Sequence, residues 1–277
     1  MLVEKEMLIN WLKADDLVVI DVRADLQDET YGQYVYEKGH IPRAQFLDLE
    51  IDLSGPVQKH GGNHPLPPLE IFSKKLGTIG ISGDERVVVY DEGGGMFAPR
   101  AWFLLRYVGL TKVYILNGGF KAWEKAQYPI TTKQGEVTAK VFTPRINDAE
   151  IVTMEEVKNR KDSSILIDSR APERYRGEVE PLYARAGHIP GAVNYFWEEV
   201  FTKDGLLKGV DKLKNHFNDL PRDKEIIVSC GSGVSACANL FALRKLGYQQ
   251  VKLYAGSFSD WISYADNPID SKQKLND

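Results

Sequence analysis

The chain has 277 residues, 43% apolar and 27% charged, with a net charge of −4. This balance excludes a disordered chain and a basic nucleic-acid-binding face, and the length suits two domains or one large α/β domain. The apolar runs are too short to cross a bilayer, the N-terminus carries early acids and no export signal, and two cysteines exclude a disulfide framework or a Cys-rich zinc site. A soluble cytoplasmic protein is expected, with neither a membrane nor a nucleic acid as partner.

From the N-terminus, the first short β-branched run is 17–21, within VVIDVRAD. A GHIPRA turn starts at Gly39, and a Gly/Pro-rich loop, GPVQKHGGNHPLPP, holds His60 and His64. Runs at 87–91 and 112–116 flank a predicted helix, FAPRAWFLLRYVGL. Trp102, Leu105 and Val108 lie along one side of it, and Gly109 closes it as a C′ residue. The polar stretch TTKQGEVTAKVFTPRINDAE lacks periodicity and reads as a linker. The pattern then returns, with runs at 164–168, 225–229 and 251–254 and a GHIPGA turn at Gly187. A second helix, ACANLFALRKLGY, buries Leu240, Leu243 and Leu246 and ends at Gly247.

The return is a tandem duplication. Asp21 recurs as Asp168 at an offset of 147, Gly39 as Gly187 at 148, and Asp91 as Cys230 at 139. Arg106 and Trp123 recur as Arg244 and Trp261, both at 138. The fall from 148 to 139 places nine extra residues, the His60/His64 loop among them, in the first copy. The reading is therefore a first domain over 1–130, a linker over 131–150 and a second domain over 151–277. Unalternating β-branched runs separated by helices predict, in each, an α/β fold with a parallel-sheet core covered by helices on both faces. Ligands of such sheets bind at the carboxyl ends of strands, which directs attention to the residues after VVVYD and IIVSC.

After IIVSC the second copy reads Cys230, Gly231, Ser232, Gly233, Val234, Ser235, then a helix. Glycines let such a loop curl until successive N–H groups face inward as an anion nest, and the helix N-terminus adds partial positive charge. Both favour a thiolate at Cys230 and so a nucleophile. Cys237, among small and apolar helix residues, reads as packing. A cysteine phosphatase would place arginine six residues beyond its cysteine, where this chain has Ala236. A persulfide carrier needs only the amides. A phosphatase, a sulfur carrier and a noncatalytic persulfide sensor or binding module are the readings open at this point.

GHIPRA, GHIPGA, CGSGVSA, LNGGFKAW and YAGSFSDW together resemble the rhodanese family of sulfurtransferases, over nearly the whole chain. The resemblance implies two rhodanese-like domains, with the active cysteine in the second and Asp91 in its place in a noncatalytic first. It implies sulfur transfer from a small anionic donor, thiosulfate or 3-mercaptopyruvate, through a Cys230 persulfide to cyanide or a thiol, without metal or organic cofactor. The Gly231, Gly233, Val234 and Ser235 amides would bind the sulfur. Arg174 in ERYRGE is similar to the family's substrate-binding arginine, and Arg185 stands near a second arginine of mercaptopyruvate enzymes. Ser232 would assist through His64 of the HPLP-like segment, with Asp52 as the carboxylate behind it. Arg170 is assigned to Asp168, as Arg23 to Asp21. His40 and His188 are read as turn-fixing residues, Trp123 and Trp261 as core anchors.

Overall fold

The computed structural model describes residues 1–271, so residues 272–277 of the expected second domain lie outside the described residues. The chain divides into two compact units. The first contains Met1–Gly55, Leu66–Asp148 and Phe201–Leu207; the second contains Pro56–Pro65, Ala149–Val200 and the chain from Lys208 onward.

In the first unit, β1 (Leu2–Val3), β2 (Leu17–Asp21), β3 (Ala44–Phe46), β4 (Arg86–Tyr90) and β5 (Val113–Leu116) form a sheet in the order β1-β5-β4-β2-β3. All its pairings are parallel. Its helices are α1 (Lys5–Trp11), α2 (Tyr31–Lys38), α3 (Leu69–Thr78), α4 (Phe97–Tyr107) and α5 (Gly119–Lys125). In the second unit, β6 (Ile165–Asp168), β7 (Ala192–Asn194), β8 (Ile226–Ser229) and β9 (Val251–Leu253) run parallel in the order β7-β6-β8-β9. Its helices are α6 (Met154–Lys158), α7 (Pro172–Tyr175), α8 (Val210–His216), α9 (Ala236–Lys245) and α10 (Ser257–Trp261). Both units are parallel sheets flanked by helices, as expected.

The six predicted strands are present, displaced by a residue at most at either end. β4 and β8 are central, and Val87, Val88 and Val89, like Ile226, Ile227 and Val228, are buried whichever way they point. That explains their lack of alternation. The short β1, β3 and β7 carried no β-branched run and were not expected. Gly109 (φ 101°) and Gly247 (φ 90°) close α4 and α9 in the left-handed region, as the sequence required.

Each GHIP turn is held by the same buried bracket. Arg23 Nη2 donates to Asp21 (2.6 Å) and to the Gly39 carbonyl (2.7 Å); Arg170 Nη2 donates to Asp168 (2.6 Å) and the Gly187 carbonyl (2.7 Å). Each guanidinium lies 4.0 Å from a ring centroid, Phe120 or Phe258. A buried ion pair repays its desolvation only when its other hydrogen bonds are met, and here the turn carbonyl meets them. His40 and His188 stack on Tyr36 and Tyr175 and bond those residues' carbonyls. The indoles of Trp123 and Trp261 donate to Pro129 and Pro268. These motif residues build turns and core.

The stretch read as a linker is strapped to the first unit as far as Asp148. The N–H groups of Lys140, Arg145 and Asn147 donate to the carbonyls of Gly77, Val108 and Tyr107, Phe142 is buried, and Lys140 pairs with Glu85 at 2.7 Å. Backbone bonds do most of this work, so no side-chain periodicity announces it.

Candidate active site

Cys230 follows β8 directly and is 2% exposed. Its N–H donates to Ser257 Oγ at 3.0 Å, and the Gly233 N–H donates to its Sγ at 3.1 Å. The start of α10 clamps the loop from outside: the Phe258 and Ser259 N–H groups donate to the carbonyls of Cys230 (3.0 Å) and Gly231 (2.9 Å). Gly233 has φ 81°, and a Cβ there would stand 2.1 Å from the Ala255 carbonyl oxygen. Glycine is therefore required for the loop to curl and aim its amide at the sulfur. Val234 and Ser235 carry the chain into α9, the carbonyl of each accepting from the helix's first turn. Of the four loop amides expected to bind sulfur, that of Gly233 reaches Sγ in this structure. Cys237 is fully buried, its Sγ 3.4 Å from the Gly233 carbonyl, as a packing residue should be.

Ser257 is a site residue that the motifs did not single out. It is fully buried, its Oγ donates to the Tyr254 carbonyl at 2.8 Å, and its backbone sits at φ 53°. The matching residue of the first copy is Gly119, at φ 57°. A left-handed serine costs about 1 kcal/mol or more, and here it buys a hydroxyl that receives the Cys230 N–H. The Gly119/Ser257 mismatch was a visible signal in the repeat.

Ser232 and His64 are brought together within the second unit, Ser232 Oγ lying 2.7 Å from His64 Nδ1. The His64 loop is fastened by side chains on and just after α10. The Gly61 N–H donates to Asp260, the Asn63 N–H donates to Ser259 Oγ, and a Cβ on Gly62 would collide with the Gly256 carbonyl at 2.4 Å. His60 stacks on Tyr264 and bonds Ser263 Oγ at 2.7 Å, so it is an anchor of this loop.

Arg174 lies on α7, its Nη2 2.7 Å from Glu180. The same carboxylate pairs with Arg170 at 3.1 Å, so Arg174 carries a partly compensated charge. Arg185 and Asp52, the other expected residues, have these partners. Arg185 Nη2 donates to the Asn267 carbonyl at 3.0 Å. Asp52 accepts from Lys75 (3.0 Å) and from the Asp48 N–H (2.9 Å), both within the first unit. Tyr183, which sequence reasoning passed over, has its ring 5.4 Å from the Arg174 guanidinium, and its hydroxyl would stand 2.7 Å from a Cβ on Gly231. Burial, then the negative charge of Cys230, pushes its phenol up to about 12. Its place between Arg174 and GHIP, beside Arg185, was the available cue.

In the first unit Asp91 occupies the matching place. Its carboxylate accepts the N–H groups of Gly93 (2.9 Å) and Ala98 (3.0 Å), the latter in the first turn of α4. Burial raises its pKa against the pull of those donors.

A nucleophilic atom at a strand end, an amide aimed at it, and a Ser–His pair two residues on can support covalent group transfer through sulfur. Comparison with known proteins agrees. The rhodanese-like domain family matches residues 4–126 and 153–264. A Pseudomonas aeruginosa protein named "Probable 3-mercaptopyruvate sulfurtransferase" is 39% identical over 275 residues, 97% of each chain. The mouse thiosulfate sulfurtransferase is 35% identical over 83% of this chain and 80% of its own. The crystal structure of SseA from Escherichia coli, described as a 3-mercaptopyruvate sulfotransferase, superposes with a TM-score of 0.83 at 36% identity, covering 93% of this chain and 98% of that one. The chain belongs to the rhodanese family, as a tandem-domain sulfurtransferase.

Proposed function

We propose that the protein takes sulfur from 3-mercaptopyruvate onto Cys230 and passes it to a thiol or cyanide. The Cys230 thiolate attacks the donor's sulfur. A sulfur–sulfur bond forms, the donor's carbon–sulfur bond breaks, and its electron pair stays on the methylene carbon. That carbon gains the proton carried by the donor's thiol, and pyruvate leaves. The Gly233 amide and the N-terminus of α9 hold the persulfide's charge, and Arg174 holds the donor's carboxylate. An acceptor thiolate, or cyanide, then attacks the outer sulfur and returns Cys230 as thiolate, a ping-pong sequence.

The observation that carries the choice of donor is the 2.7 Å contact between Ser232 and His64. Thiosulfate expels sulfite and needs no proton transfer, whereas breaking a carbon–sulfur bond requires a proton at carbon, which a Ser–His pair can relay. The names of the Pseudomonas aeruginosa and Escherichia coli relatives support the same donor, while the mouse relative is named for thiosulfate. Two buried cysteines outside any disulfide suit a reducing cytoplasm, the proposed place of work, and no helix among the described residues is long and apolar enough to cross a membrane. Intact mass after 3-mercaptopyruvate treatment should show one added sulfur on Cys230, removed by cyanide as thiocyanate. No added sulfur would end the reading; a kcat/KM for thiosulfate above that for 3-mercaptopyruvate would end the choice of donor.

A further inference from the structure

The segment between Arg174 and the second GHIP turn was expected to offer Arg185 as a second cation. Arg185 Nη2 donates to the Asn267 carbonyl, and a side chain of that segment that reaches the Cys230 loop is Tyr183. Its ring is set by Phe258 (centroids 6.0 Å apart) and by the Arg174 guanidinium, which together aim the hydroxyl at the backbone of Gly231. Among the described residues, that hydroxyl has no protein hydrogen-bond partner. A half-buried phenol fixed beside a reactive sulfur with its donor unspent is arranged for a ligand.

We propose that Tyr183 is a donor-contacting residue, its hydroxyl giving a hydrogen bond to the carboxylate of a monoanionic α-keto acid held over the Cys230 loop beside Arg174. The inference rests on the sulfurtransferase reading and deepens it. With its phenol pushed up to about 12, Tyr183 remains a neutral donor throughout the working pH range. Arg174 is already shared with Glu180, so the pair presents one partly compensated cation and one neutral hydroxyl. This complement fits a single negative charge better than the double charge of thiosulfate, and it makes Tyr183 a specificity determinant. Gly231 is part of the arrangement, because a methyl group there would meet the hydroxyl at 2.7 Å.

Tyr183→Phe deletes the hydroxyl and keeps the ring packing. It should raise KM for 3-mercaptopyruvate about tenfold to hundredfold, the worth of one hydrogen bond to a charged group, with Tm unchanged. KM for thiosulfate should move far less. Gly231→Ala should shift KM in the same direction by crowding the hydroxyl. A second readout is independent of turnover: the pyruvate concentration that protects Cys230 from iodoacetamide should rise about tenfold in Tyr183→Phe. Wild-type KM and wild-type pyruvate protection in Tyr183→Phe would overturn the inference. If the wild type moved no sulfur while its pyruvate protection still depended on Tyr183, the sulfurtransferase reading would fail and the carboxylate contact would stand.

Discussion

Removing the Ser232 hydroxyl separates the two candidate donors. Ser232 Oγ is 2.7 Å from His64 Nδ1, a distance at which a proton passes between oxygen and nitrogen, and it stands two residues from the nucleophile. Positioned general acid–base groups contribute roughly 10²–10⁴ in rate, so Ser232→Ala and His64→Ala should each lower kcat for 3-mercaptopyruvate by about that factor. The two act as one relay, so the double variant should be about as slow as the worse single variant. Sulfite leaves thiosulfate without a proton, so the same variants should keep thiosulfate turnover within about threefold of wild type. Rapid-quench pyruvate release measures the first half-reaction with one donor, and thiocyanate formation measures turnover of the other. Equal losses on both donors would make the pair a scaffold for the loop. Losses that multiply in the double variant would refute a shared relay.

Cys230→Ser should abolish sulfur uptake with either donor, while Cys237→Ser, altering a buried packing thiol, should keep most activity; intact mass after donor treatment distinguishes them. Gly233→Ala should cost about 1–3 kcal/mol and most of the activity, because a methyl group 2.1 Å from the Ala255 carbonyl forces the loop amide off the sulfur. A melting curve and a kcat/KM measurement would show both losses, and a stable, active variant would contradict them. Glu85 is buried, which alone would raise its pKa, but hydrogen bonds from Lys140, Ser82 and the Gly83 N–H outweigh this and hold it at about 2. A depressed folded-state pKa stabilises above the ordinary glutamate range and loses its effect as pH falls through about 2. Glu85→Gln should therefore cost about 2 kcal/mol near neutral pH, after allowing for the solvent-exposed Lys140, with the gap closing between pH 4.5 and about 2 in urea titrations.

The duplication, both sheets and the cysteine loop were legible because each rests on local pattern. Buried central strands need continuous β-branched runs, and a curled loop needs Gly233. What escaped was set by distant partners. Arg185 was singled out for its place before GHIP, and the bond its Nη2 gives to a carbonyl 82 residues away could not be read from that place. Tyr183 was overlooked because its ring acquires meaning only when Phe258 and Gly231 stand beside it. His64 was found through its HPLP context, whereas the anchoring role of His60 depended on Ser263 and Tyr264, which no spacing rule connects to it.

The two copies also show why one kept the chemistry. Both end a central strand with an acceptor facing loop amides and a helix N-terminus, so the same local field acts on each. In the first unit the acceptor is the Asp91 carboxylate, whose two oxygens take the Gly93 and Ala98 N–H groups. It supplies the anion the nest would otherwise bind and has no atom that can carry sulfur. The space over that loop is also filled within the unit: a Cβ on Gly94 would lie 2.6 Å from Gly205, and one on Gly93 would lie 2.2 Å from the Gly118 carbonyl. In the second unit the acceptor is the sulfur of Cys230, met by the Gly233 amide. The first loop is saturated by its own side chain and closed by backbone; the second offers its amide to a sulfur, the one atom of the two acceptors that can carry another.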